Sequence, residues 1–150
     1  MKAGAAAVGL VLAGGAHAAE IRIVEVKAYV FLEHAGKLSD DLLGGPGLVD
    51  APKGGAPGGD TATVLLLDFT FAGDKSALPK YATATIDLTQ TGRAGQLILI
   101  HKAFTNFIFG PDGLEHKAVF LGGATCMPPV IDVRAGKTRK SAKLDFQCGE

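Results

Sequence analysis

Apolar and polar residues change places every second position through most of this chain, and that rhythm excludes a helical core. Within Ile21–His34, Val24, Val26, Ala28, Val30 and Leu32 alternate with Glu25, Lys27, Tyr29, Phe31 and Glu33. In Thr63–Phe71, Leu65, Leu67, Phe69 and Phe71 share one parity. In Tyr81–Leu88, Ala82, Ala84, Ile86 and Leu88 do the same. A period of two puts one set on each face of an extended strand, whereas a helix would need apolar residues three and four apart. Gln96–Phe104 is apolar enough for a central strand, Thr105–Phe109 extends it or starts another, and His116–Leu121 adds a short one. Gly110-Pro111-Asp112-Gly113 is the strongest turn signal.

The last stretch reads as a hairpin. Val130, Ile131 and Val133 precede the polar segment Gly136–Lys140, and Ala142, Leu144 and Phe146 follow it in alternation. Of two registers compared, one sets Arg134 against Lys140. The other pairs Ile131 with Leu144, Val133 with Ala142 and Asp132 with Lys143, which keeps the apolar set on one face and forms an opposite-charge pair. The second register is therefore expected. The hairpin lies between the two cysteines, Cys126 and Cys148. A bridge between them would close a loop of roughly 20 residues, for a stabilisation of about 3 kcal/mol in the chain-entropy account.

Compartment supports that bridge. Met1-Lys2 gives a positive start, residues 3–16 are apolar or glycine, and Ala16-His17-Ala18 has the small-x-small form of a cleavage site. This is the pattern of a secretory signal over residues 1–18, too short and glycine-rich to span a bilayer well, and exported proteins form disulfides. The expected location is periplasmic or secreted, and the expected mature chain, 19–150, is a single domain that does not span the membrane. One stretch breaks the strand rhythm: residues 35–62 are rich in glycine, proline and aspartate, with room for one helical turn at Leu38–Leu43 capped by Ser39 or Asp40. That stretch reads as a flexible surface loop.

About seven or eight short strands with one apolar face each need a second sheet to cover that face. The fold class expected is all-β, an antiparallel immunoglobulin-like β-sandwich with a C-terminal hairpin and one disulfide; a small barrel is the alternative. There is no tryptophan, and the two cysteines lack the spacing of antibody domains.

Chemistry is sparse. Fifteen basic and fifteen acidic residues leave no electrostatic footprint for nucleic acid. The serines, Ser39, Ser76 and Ser141, sit in no nucleophile elbow. Gly136-Lys137-Thr138 imitates the end of a phosphate loop, but Ile131 stands where the first glycine belongs. No catalytic residue is assigned. His101 and His116, either side of the Pro111 turn, are the candidate metal ligands for copper or zinc, should their strands be adjacent. Asp68 shares a strand face with Val64 and Leu66, which calls for a polar partner. Phe104, Phe107 and Phe109 read as core rather than as a ligand groove. The function expected is a non-catalytic binding module for a protein or small molecule, acting through a sheet edge or the 35–62 loop. The alternative is a periplasmic metal-binding protein using His101 and His116.

Overall fold

The computed structural model describes residues 20–45, 48–50, 55–74, 82–91, 95, 97–122 and 129–148. The signal-like segment 1–18 and Cys126 lie outside them, and of Cys148 only the backbone is described.

Two four-stranded antiparallel sheets form the body. The strands in chain order are β1 (Arg22–Leu32), β2 (Lys37–Leu38), β3 (Leu48–Asp50), β4 (Val64–Ala72), β5 (Ala84–Thr91), β6 (Leu97–Phe104), β7 (Leu114–Gly122), β8 (Pro129–Ala135), β9 (Thr138–Lys143) and β10 (Phe146–Cys148). One sheet runs β2-β1-β4-β7 and the other β6-β5-β8-β9. A third, two-stranded piece joins β10 to β3 in parallel, with Phe146 opposite Leu48 and Cys148 opposite Asp50. The inward faces of both main sheets meet in one core. Leu67, Phe69 and Phe71 of β4 and Ile86, Leu88, Ile131 and Val133 of β5 and β8 are fully buried. That is the layered burial that one-sided strands demand.

The alternation in β1 is interrupted by a bulge between Ile23 and Glu25. Ile21 and Ile23 point inward on one parity, whereas Ala28, Val30 and Leu32 do so on the other. Val24, expected among the inward set, is instead 37% exposed. A bulge adds one residue to one strand and so switches its parity, which no count of apolar positions reveals. Past the bulge the start of β1 turns onto the other sheet: the Ile23 amide donates to Thr138 Oγ1 (2.9 Å), which in turn donates to the Ala135 carbonyl (2.7 Å).

The β8–β9 hairpin adopts a third register. Ala135 pairs with Thr138, Val133 with Lys140 and Ile131 with Ala142. This is two residues from the expected pairing, so the apolar set keeps its face. The cause is the turn, which uses only Gly136 and Lys137. Gly136 has φ 55°, the positive value that two-residue hairpin turns require at their first position. Arg134 consequently faces Arg139. The repulsion is relieved because Arg139 reaches diagonally to Asp132 Oδ1, at 2.9 Å and 3.3 Å from two guanidinium nitrogens. A methyl group at Gly136 would sit 2.7 Å from the Ile21 carbonyl oxygen. Gly136→Ala is therefore expected to cost about 2 kcal/mol, the upper end of the left-handed penalty for a non-glycine residue. Thermal unfolding beside Lys137→Ala, which should leave the midpoint within a degree or so, checks it.

Residues 105–110 form no strand; they carry the chain from β6 in one sheet to β7 in the other. Phe107 is buried there, edge-on to Phe71 with centroids 5.1 Å apart, and Phe109 stacks on it at 6.0 Å. Lys117 Nζ lies 5.2 Å from the Phe107 ring centroid. Glu115 holds the crossing by accepting the Ile108 amide and pairing with Lys117. The three phenylalanines named for the core do pack on it, Phe107 inside and Phe104 and Phe109 against its margin.

Candidate functional site

A concavity lies where the glycine-rich connection leaves β1. Gly36, at φ 63°, closes the turn after β1, and its amide donates to the Leu32 carbonyl (2.8 Å). β2 then pairs for two residues, Phe31 with Leu38 and Leu32 with Lys37. Beyond β2 the pairing continues with side chains in place of backbone. Ser39 Oγ accepts the Val30 amide (3.1 Å), and Asp41 Oδ1 accepts the Ala28 amide (3.0 Å) and the Leu43 amide (3.1 Å). The Ser39 and Leu42 amides donate back to the Val30 and Ala28 carbonyls. The edge of β1 is thereby covered, as an otherwise bare row of donors and acceptors requires.

This explains why Leu38–Leu43 forms no helical turn. Of the two expected caps, Ser39 serves the neighbouring strand instead, joined there not by Asp40 but by Asp41. The chain returns at residues 55–62 to the same place. The Glu33 amide donates to the Thr61 carbonyl (3.0 Å), and Asp60 accepts the His34 and Ala35 amides at 3.0 and 3.1 Å. The described parts of the 35–62 connection are thus fastened to β1 and to β10.

Between these attachments opens a cleft of about 350 Å³, lined by Leu32, Lys37, Leu38, Ser39, Asp40, Asp41, Leu42 and Gly58. Its floor is apolar: Leu32 and Leu42 are buried. Its charged groups are one ammonium and two carboxylates. Asp41 is committed to backbone amides through one oxygen. Among the described residues, the Lys37 ammonium and the Asp40 carboxylate pair neither with each other nor with any other group. A volume at the lower end of the range for small-molecule sites, with an apolar base and few polar groups, suits a compact ligand.

Asp60, two residues after the cleft-lining Gly58, ties the returning chain to residues 34–35. The His34 amide first, then the His34 ring and the Thr61 and Ala35 amides, hold its carboxyl down to about 2 from the ordinary 3.8. A carboxyl depressed on folding adds stability above its unfolded value and loses it as pH falls through the folded one. The tie between residues 34–35 and 60 is therefore expected to persist well below pH 3.8 and to release near pH 2. A carbon-detected NMR titration of the Asp60 carboxyl reads this directly; a midpoint near 3.8 would contradict the hydrogen-bonded geometry.

The candidate metal ligands are placed apart. His101 is on β6 and His116 on β7, which belong to different sheets. Each imidazole has its own aspartate across the ladder. His101 Nδ1 lies 2.6 Å from Asp87 Oδ1, and His116 Nδ1 lies 3.0 Å from both Asp68 oxygens and 3.4 Å from Thr70 Oγ1. His34, the third histidine outside the signal-like segment, has the same arrangement with Asp60 at 2.8 Å. Among the described residues, no three His, Cys, Asp or Glu side chains converge as a metal ion would require. The polar partner sought for Asp68 is His116, on the neighbouring strand but 48 residues later in the sequence.

Asp87 and Asp132 face one another across β5 and β8. They do not form a shared-proton pair, because each turns to a different neighbour. Asp87 takes His101, while the Ser141 hydroxyl and then the Arg139 guanidinium hold the Asp132 carboxyl below the ordinary range. Sequence reasoning named the glycine-rich connection as one possible binding element but not Lys37, Asp40 or Leu42. The available signal was the run LSDDLL, whose polar members fit an Asx-type edge cover as well as a helix cap.

No protein-family model matches the chain, and no curated protein matches it. Among the described residues, no helix is long and apolar enough to cross a membrane.

Proposed function

We propose that this chain is an exported, periplasmic or secreted, non-catalytic β-sandwich module that binds a small ligand in the cleft between the end of β1 and residues 37–42 and 58. The observation that carries this reading is the cleft itself. It has an apolar floor, a rim with one ammonium and one carboxylate left without partners, and a wall secured to β1 by Ser39 and Asp41. Walls fixed before a ligand arrives lower the ordering cost of binding.

Export is inferred from residues 1–18, and with it the Cys126–Cys148 bridge. The immunoglobulin-like kinship proposed for the sandwich rests on its two antiparallel four-stranded sheets.

Two measurements test the reading. Protein recovered from a bacterial periplasm should begin near Ala19 on N-terminal sequencing. The amides of residues 37–42 and 58 should shift in ¹H–¹⁵N spectra when mixtures of small metabolites are added. Shifts confined to other regions would remove the cleft from the proposal.

A further inference from the structure

The cleft's two unpaired charges have opposite sign, and from this we infer that its ligand is a free aliphatic α-amino acid in zwitterionic form; the inference rests on the cleft reading above. Lys37 and Asp40 both line the space, yet they form no ion pair with each other. Groups of opposite charge that face one cavity without meeting can be bridged by a ligand carrying both signs, and a charge-assisted hydrogen bond at each end fixes its orientation. The ligand's carboxylate would take Lys37 and its ammonium Asp40. Asp41 adds negative charge on the ammonium side while Oδ1 stays with the Ala28 and Leu43 amides.

The same cleft is lined by Leu32, Leu38 and Leu42. They offer no hydrogen bond and favour a branched alkyl side chain over a polar one. Ser39 does not alter that preference. Its hydroxyl is occupied, accepting the Val30 amide and donating to the Asp40 carbonyl at 2.8 Å, so it offers no free donor to a polar ligand side chain. A purely cationic ligand would leave Lys37 facing its own sign, and a purely anionic one would meet two carboxylates.

The experiment is an amide-shift titration of the full mature protein with three probes of similar shape. They are L-leucine, L-leucinamide, which lacks the carboxylate, and 4-methylpentanoate, which lacks the ammonium. L-Leucine should shift the amides of residues 37–42 and bind about tenfold more tightly than either analogue, the worth of one charge-assisted contact. Lys37→Gln should abolish the preference over leucinamide and keep that over 4-methylpentanoate; Asp40→Asn should do the reverse. Both side chains are exposed and without partners, so the variants fold. If leucinamide or 4-methylpentanoate binds as tightly as leucine, the zwitterion assignment is overturned while the cleft stands. If no probe moves these amides but other small molecules do, the amino-acid class is wrong. If nothing moves them, the cleft reading fails as well.

Discussion

Phe71→Ala is expected to lower stability by about 3–5 kcal/mol, the range for removing a large aromatic side chain from a packed interior. Phe71 is fully buried near the end of β4, and its ring meets Phe107 edge-on. Phe107 belongs to the segment that crosses from one sheet to the other and is itself stacked with Phe109. The vacated volume therefore opens beneath a crossing held by Glu115, whose carboxylate already has two partners, Ile108 and Lys117, and cannot follow a collapsing ring. Limited relaxation is the condition under which cavity cost is greatest. Urea unfolding of the single and double alanine variants at 71 and 107 measures both the loss and the coupling, expected at about 0.5–1.5 kcal/mol for an aromatic pair. A loss under about 1 kcal/mol for Phe71→Ala would mean that the crossing closes over the gap.

The second large effect concerns the proposed bridge. Cys126→Ser and Cys148→Ser are each expected to lower stability by about 3 kcal/mol in oxidising buffer, because the lost crosslink releases a loop of roughly 20 residues in the unfolded chain. The two losses should be equal, and the double variant should lose no more than either single one. In dithiothreitol all four proteins should unfold together. Unequal singles, or a gap that survives reduction, would show that the side chains matter for packing and not for a covalent link. The backbone of Cys148 ends β10, beside Asp50 of β3, so fastening it would also secure residues 48–50.

Sequence periodicity carried the strands and their buried faces because those depend only on neighbours two apart. The inward parity of Leu65, Leu67, Phe69 and Phe71 is the clearest case, and all four are buried. What it could not carry depends on one residue or on distant ones. The bulge at Val24 reverses parity with a single insertion. The two-residue turn at Gly136 sets the hairpin register from one backbone angle, while charge pairing favoured a different alignment. His101 and His116 are near in sequence, but the crossing at 105–110 sends them to separate sheets. The cleft was the least legible feature, since Ser39 and Asp41 acquire their roles only when the edge of β1 is beside them.

The parallel contact between β3 and β10 joins residues 48–50 to residues 146–148, almost a hundred positions apart. During synthesis the earlier partner must wait, unzipped, until residues 146–148 have emerged, and such remote closures are slow steps in assembly. Residues 48–50 would thus be among the last to lock, after the two sheets have closed on each other. A chain that postpones this final stitch stays threadable for longer, which would suit the export proposed for it.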